Sequence, residues 1–274
     1  MSFLLQHIST RHIGAARNAY ALQDISLSIK QSEQVALIGP SGAGKTSLLH
    51  TLAGALQPAS GSVQMFDIDP WTAAVGTRHA GRARLFLAPQ TPPLPPRQRV
   101  VNAVLAGMLP HWSLWQALAS LIKPRDPAAA YAALARFDLQ DKLYARVDRL
   151  SGGERQRCGL ARALVSNADA FLIDEPLSAL DPTLAVQTLK VLLQETQQRK
   201  ATLVCSLHQV ELARAHFPRI VGLRDGRVVF DSPGSEVSHA MIAALYQNRQ
   251  DELLVPAASD VPVDDLDAGP IPRC

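Results

Sequence analysis

The chain has 274 residues, of which 47% are hydrophobic and 19% charged, with a formal net charge of +3. That balance excludes a disordered bulk and supplies a large core, either as one domain or as a core plus a subdomain. Cys158, Cys205 and Cys274 lie far apart with no CxxC, which argues against a disulfide framework or zinc site, and MSFLLQHISTRH lacks the basic start and long apolar run of a signal peptide.

In chain order, FLLQHI (3–8) and YALQDISLSI (20–29) read as strands, the second alternating apolar and polar residues. VALIG (35–39) is a continuous apolar run ending in glycine, the pattern of a buried parallel strand, and a helix is expected from Lys45 to about Gly54. SVQMF (62–66) and RLFLA (84–88) are two more strands, after which TPPLPP (91–96) breaks the pattern. Short helices are expected from there through residue 149, including an Ala-rich one over 127–137 with proline near its start. The stretch from Val100 to Ile122 carries no formal charge and approaches bilayer length, but its polar residues and central Pro110 fit two amphipathic helices broken at that proline. Alternation then resumes: a helix over 153–165, the strand AFLID (170–174), a helix over 182–197, the strand TLVCSL (202–207) and a helix over 209–216. RIVGL (219–223) and RVVFD (227–231) flank Asp225-Gly226, a hairpin signal. The order is that of βαβ units interrupted by a helical insert, an α/β fold with a mostly parallel sheet.

Residues 250–274 hold six acids and one base, leaving 26 bases against 18 acids on the remainder. A basic body suits polyphosphate ligands or a membrane surface, but for charge alone a solvated surface with an acidic tail is the better reading.

Gly39-Pro40-Ser41-Gly42-Ala43-Gly44-Lys45-Thr46 fits GxxxxGK[ST] at every fixed position, between a buried strand and a helix. Triphosphate oxygens require many N–H donors in a small concave space, and Cβ atoms there would block approach. The expected triphosphate-binding set is therefore Gly39 through Ser47, with Lys45 neutralising phosphate oxygens and the Thr46 hydroxyl on Mg²⁺. Asp174 and Glu175 end an apolar strand at the sheet edge where nucleotides bind in open α/β sheets. Asp174 would hold Mg²⁺ and Glu175 would polarise the attacking water, whereas an apolar run followed by DE is by itself equally an ordinary strand end. LSGGERQR (150–157) places Ser151, Gly152 and Gly153 at a helix start, where backbone N–H groups favour an anion, although simple capping is the favoured reading of this segment alone.

Together these segments resemble the ATP-binding subunit of an ABC transporter, with LSGGERQR similar to the ABC signature, followed by LIDEP and SALDP (178–182), and the likeness covers about residues 3–247. The resemblance implies a P-loop NTPase core with an antiparallel β subdomain and an inserted helical subdomain at about 91–161, the residues after 247 being an acidic tail. It also implies a head-to-tail dimer in which Ser151, Gly152, Gly153 and Asp181 reach the nucleotide held by the other copy. Gln90 in LAPQ resembles the glutamine that senses Mg²⁺, and His208 in SLHQ the histidine that positions the terminal phosphate. Without that likeness His208 is a polar strand end. Two departures stand out: the fifth signature residue is Glu154 where the family usually has Gln, and the residue expected to stack on adenine is His12.

The insert, with VLAG followed by WSLW, resembles that of phosphonate-importer ATPases, as does SLHQVELARAHFPRIVGLRDGRVVFDSP. That implies ATP and Mg²⁺ as cofactors, transmembrane permease subunits and, indirectly, a periplasmic or lipid-anchored solute-binding protein as partners, no nucleic acid, and a peripheral location on the cytoplasmic face of the inner membrane. Trp112, Leu114 and Trp115 are candidates for a permease groove, against an equal reading as insert core. An ABC ATPase for phosphate, a metal ion or lipoprotein export, or one outside transport, remains the alternative at this level.

Overall fold

The computed structural model describes residues 1–11 and 20–247. In chain order the elements are β1 Phe3–Arg11, β2 Tyr20–Ile29, β3 Gln34–Ile38, α1 Lys45–Leu52, β4 Ser60–Met65, α2 Val75–Ala83 and β5 Leu85–Ala88. The insert follows with α3 Val100–Leu105, a 3₁₀ turn over Ala106–His111, α4 Leu114–Ile122 and α5 Pro127–Ala135. The chain then returns through α6 Gly152–Val165, β6 Ala170–Ile173, α7 Pro182–Gln198, β7 Thr202–Ser206, α8 Val210–His216, β8 Arg219–Arg224, β9 Arg227–Pro233 and α9 His239–Leu245.

A six-stranded sheet runs β5-β6-β7-β3-β8-β9, parallel except for β9, and a three-stranded antiparallel sheet runs β2-β1-β4. Because side chains alternate along a strand, each central strand feeds two cores. Ala36, Ile38, Phe171, Ile173, Leu203 and Cys205 face the core shared with α3, α5, α6 and α7. Their neighbours Val35, Leu37, Ala170, Leu172 and Val204 face the other core, which α1 and the antiparallel sheet close. Full burial on both faces explains why these strands read as unbroken apolar runs.

The β8–β9 hairpin turns on Asp225 and Gly226, whose φ values of 48° and 74° are the left-handed pair that a two-residue turn demands. Gly226 then donates to the Ala43 carbonyl at 3.1 Å and accepts from Gln23 N at 2.8 Å, tying the turn to the glycine-rich loop and to β2. Arg219 joins the sheets from β8: it reaches Asp231, Glu33 and the Ser28 carbonyl, and the paired carboxylates raise its pKa further.

Three expectations need correction. Pro110 does not break the uncharged stretch: it sits inside the 3₁₀ turn, and the interruption falls at Trp112–Ser113, where Ser113 and Gln116 form a capping box that starts α4. Helices α2 and α9 lie where none was expected. In α2 a single glycine, Gly81, is buried, and Val75 is its one large apolar residue, so no apolar run marks it in the sequence. No helix among the described residues is long and apolar enough to cross a membrane. The acidic tail lies outside the described residues.

Candidate nucleotide site

Strand register builds the site. Ala88, Ile173, Cys205 and Ala36 pair across β5, β6, β7 and β3, so all four strands end at one edge. Gln90 and Glu175 lie two residues beyond that row, and Gly39 and His208 three beyond it. Four segments remote in sequence are thereby delivered to one end of a parallel sheet.

The loop after β3 folds around its glycines. Gly39 and Gly44 have φ of 149° and 103°, and a Cβ on either would fall 2.0 Å from the Leu223 carbonyl oxygen or 2.7 Å from that of Ala21. Only glycine lets the loop pass so close to β2 and β8. Lys45, at the start of α1, is buried and bends back so that its ammonium donates to the carbonyls of Gly39 at 2.7 Å and Pro40 at 3.2 Å. The ammonium is thus held over the loop's concave side, a cradle that suits a polyphosphate.

Beside it runs a chain of hydrogen bonds. Thr46 Oγ1 donates to Asp174 Oδ2 at 2.7 Å, and Ser206 Oγ donates to Asp174 Oδ1 at 2.6 Å. Ser206 Oγ in turn accepts from Glu175 N at 2.9 Å. The Glu175 side chain is gripped at both oxygens: Gln90 Nε2 donates to Oε2 at 2.6 Å, and His208 Nε2 lies 2.5 Å from Oε1. Hydrogen bonding from His208 is the main cause that holds the Glu175 carboxyl below its ordinary pKa; partial burial pushes it up, and the Lys45 ammonium adds to the lowering. The Glu175 backbone adopts φ 46°, an unusual conformation for a residue with a side chain, and one that turns the chain sharply after β6.

The donors at this edge fit a magnesium ion. The Thr46 hydroxyl and Asp174 carboxylate are hard oxygen ligands set side by side, and Mg²⁺ needs only one or two protein oxygens when phosphates and waters complete its shell. No group of three or more His, Cys, Asp or Glu residues suited to a metal occurs among the described residues, so a softer all-protein cage is not offered. Cys158 and Cys205 are buried free thiols, and burial pushes Cys158 up to about 12 and raises Cys205 as well, which leaves both unreactive.

The turn at 151–153 is held by separate means. Ser151 Oγ accepts from Glu154 N at 3.2 Å, and Glu154 Oε2 accepts from Ser151 N at 2.7 Å, a complete capping box. This gives the departure at Glu154 a structural role, since Glu and Gln both close such a box. The Ser151 backbone N–H is the main cause that lowers the Glu154 pKa, against partial burial, with the Lys142 ammonium assisting. Gly153 packs beneath the chain leading to α7, where a Cβ would lie 3.0 Å from the Ala179 carbonyl oxygen, whereas Gly152 has nothing within 4 Å. Asp181 caps α7 by accepting from Leu184 N at 2.9 Å and is exposed.

Two further residues join the network without a sequence signal having singled them out. Ser206 stands at the end of a buried apolar strand, where a polar side chain demands a partner. Gln156, buried on α6, donates to the Glu175 carbonyl at 3.4 Å and so connects the helix after Ser151 to the strand end. His12 lies outside the described residues. Of the three aromatic or apolar candidates in the insert, Trp112 packs on the core, while Leu114 and Trp115 are exposed.

The protein-family model for "ABC transporter" matches residues 22–178. Among curated proteins, the Phosphonates import ATP-binding protein PhnC 2 of Albidiferax ferrireducens is 55% identical over 99% of this chain and 98% of its own length. PhnC of Polaromonas sp. is 57% identical over 96% of each chain, and PhnC 2 of Pseudomonas aeruginosa 50% identical over 100% of each. Among solved structures, a dimeric post-hydrolysis state of the ATP-binding cassette MJ0796 bound to ADP and Pi covers 86% of this chain and 100% of that one, at TM-score 0.71 and 24% identity. The cbiO1 structure from Clostridium perfringens covers 92% and 96% at TM-score 0.71 and 20% identity, so both neighbours bear on the fold. With the strand-end constellation and relatives matched along their whole length, this chain belongs to the ABC transporter family as an ATP-binding subunit with the fold of an ABC ATPase.

Proposed function

We propose that this chain is the ATP-hydrolysing subunit that energises phosphonate import through a partner permease. Full-length identity of 50–57% to three proteins named for phosphonate import carries the solute class. The Glu175 carboxylate, held between Gln90 and His208 beside the phosphate loop, carries the chemistry.

In this reading Gly39 to Ser47 wrap the triphosphate, and Lys45 exchanges its loop carbonyls for phosphate oxygens. Thr46, Asp174 and Gln90 hold Mg²⁺, which when bound neutralises charge on the phosphate oxygens. Glu175 accepts a proton from the water whose oxygen attacks the terminal phosphorus, and ADP departs as the bond to its bridging oxygen breaks. A lowered pKa keeps Glu175 ionised and ready, and with one partner on each oxygen its remaining lone pairs can still accept from the attacking water. His208 orients the carboxylate and the terminal phosphate.

Ser151, Gly152, Gly153 and Asp181 act on the nucleotide of a second copy in a head-to-tail dimer. The exposure of Ser151, Gly152 and Asp181 supports this reading: Gly152 faces open space, and the capping box leaves the turn stable by itself. His12 is assigned to the adenine. The ATPase domain spans 3–247 with its helical insert at about 91–161, and 248–274 form a separate acidic tail. The dimer works on the cytoplasmic face of the membrane beneath the permease, which a solute-binding protein supplies.

The test is reconstitution of the chain with its permease and binding protein in vesicles. ATP hydrolysis should rise when the binding protein is loaded with an alkylphosphonate, and vesicles should accumulate that solute. Stimulation by phosphate or a metal ion in its place would move the chain to another solute class.

A further inference from the structure

Helix α4 is built inside out. Its nine residues, LWQALASLI, turn Ser120 into the protein, with Gln116 and Ala117 half-buried beside it. Leu114, Trp115, Leu118, Leu121 and Ile122 form the opposite face, and they are 73%, 80%, 46%, 60% and 92% exposed. The spacing i, i+1, i+4, i+7, i+8 makes this one continuous stripe on an α-helix, the arrangement that normally faces a core. An apolar stripe of this kind marks a surface that meets something.

Charge around the stripe selects the occupant. His111 precedes α4, and Lys123 and Arg125 follow it, all exposed. Residues 100 through 122 contain no Asp, Glu, Lys or Arg, so Lys123 and Arg125 are the formal charges that adjoin the stripe along the chain. Asp126 is the first acid beyond, and its carboxylate is committed to capping α5 at Ala129 N. Cytoplasmic loops of membrane proteins are themselves enriched in Lys and Arg, so a basic rim is a poor match for them. It is a good match for an anionic leaflet, which attracts bases set beside an apolar helix face, and tryptophan favours that same interface. At about 14 Å the helix is far too short to span a bilayer and suits lying along its surface.

We propose that α4 docks on an anionic lipid surface, giving the subunit a membrane contact of its own that does not depend on the permease. Leu118 and Ile122 enter the acyl boundary, while Lys123 and Arg125 face the headgroups.

The experiment is co-sedimentation of the purified full chain with permease-free vesicles of phosphatidylcholine plus phosphatidylglycerol or of phosphatidylcholine alone, beside anionic vesicles that carry the permease. Binding should favour the anionic vesicles about tenfold and weaken with salt. Leu118→Ser with Ile122→Ser, and separately Lys123→Glu with Arg125→Glu, should each reduce it by a similar factor. Helical circular dichroism and permease-free ATPase rate should stay at the wild-type level, since these side chains are exposed and remote from the strand-end network. Four outcomes overturn the proposal: no vesicle binding, binding that survives both pairs of substitutions, retention only on vesicles that carry the permease, or lipid-free self-association that the Leu118 and Ile122 changes abolish. None of them touches the importer reading, which solute-stimulated hydrolysis tests separately.

Discussion

The strand-end network and the turn at 151–153 hold their polar groups in opposite ways. At the sheet edge each side chain takes its position from another: Thr46 from Asp174, Asp174 from Ser206, Glu175 from Gln90 and His208. At the turn, Ser151 and Glu154 satisfy one another within four residues, and a side chain on Gly152 would meet nothing of this chain. A network that spans β5, β6 and β7 transmits any loss to its neighbours, whereas a self-closed cap isolates it. Substitutions at the first should therefore change chemistry and stability together, while at the second the two effects should separate.

The largest effect belongs to Glu175→Gln. An amide keeps the shape and can still bond Gln90 but cannot take a proton, so ATP hydrolysis should fall by about 10²–10⁴ with ATP affinity retained. Single-turnover measurement with nucleotide binding in parallel checks this, and a near wild-type rate would remove Glu175 from the role of base. Next comes Gly152→Ala. No atom of this chain stands where the new Cβ would go, so the melting temperature should hold. Hydrolysis should nonetheless drop at least about tenfold, because the methyl would meet a phosphate brought by the second copy. Unchanged turnover would show that nothing approaches this glycine, and the contrast between edge and turn would then lose its functional half.

Ser206→Ala is intermediate. The hydroxyl is fully buried and bridges Asp174 Oδ1 and Glu175 N, so its loss strands a buried donor at a cost of about 1–3 kcal/mol. Thermal melting should show that loss, and turnover should fall several-fold with KM for ATP nearly constant. A loss of activity with no loss of stability would contradict the interlocked picture.

Much of this architecture was legible in the sequence for a physical reason. Strands buried on both faces must be apolar throughout, so VALIG, AFLID and TLVCSL announced β3, β6 and β7 almost to the residue. Phosphate loops require glycine where the backbone crowds Leu223 and Ala21, and that requirement fixes a pattern. What was illegible depended on partners far along the chain. Ser206 matters because β6 and β7 are in register, and Gln156 because α6 passes the Glu175 carbonyl; neither carries a local spacing cue. Pro110 misled because a 3₁₀ turn accommodates proline, and the true interruption was written in the Ser113–Gln116 capping box. The orientation of α4 was hidden for a related cause, since an apolar stripe predicts burial and here it faces outward.

The smallest effect sharpens the comparison most. Glu154→Gln restores the residue usual in the family signature and preserves the capping box, because either side chain can accept from Ser151 N. It removes only the charge, which meets the Lys142 ammonium at 3.6 Å near the surface, so the stability change near neutral pH should stay within about 0.5 kcal/mol. The pH dependence carries the information. The folded protein holds the Glu154 carboxyl below its ordinary value, chiefly through the Ser151 backbone N–H. Its contribution is therefore complete above the unfolded pKa and disappears as pH falls through the lowered folded value. Wild type should lose this increment on acidification and the Gln variant should not, so the gap between their melting temperatures should drift in favour of Gln as pH drops through the carboxylate range. Turnover should remain within about twofold, since the cap is local and its closure is kept. A large fall in turnover with an unchanged melt would instead mean that the carboxylate acts beyond the turn, and that the turn is not the isolated element its capping box describes.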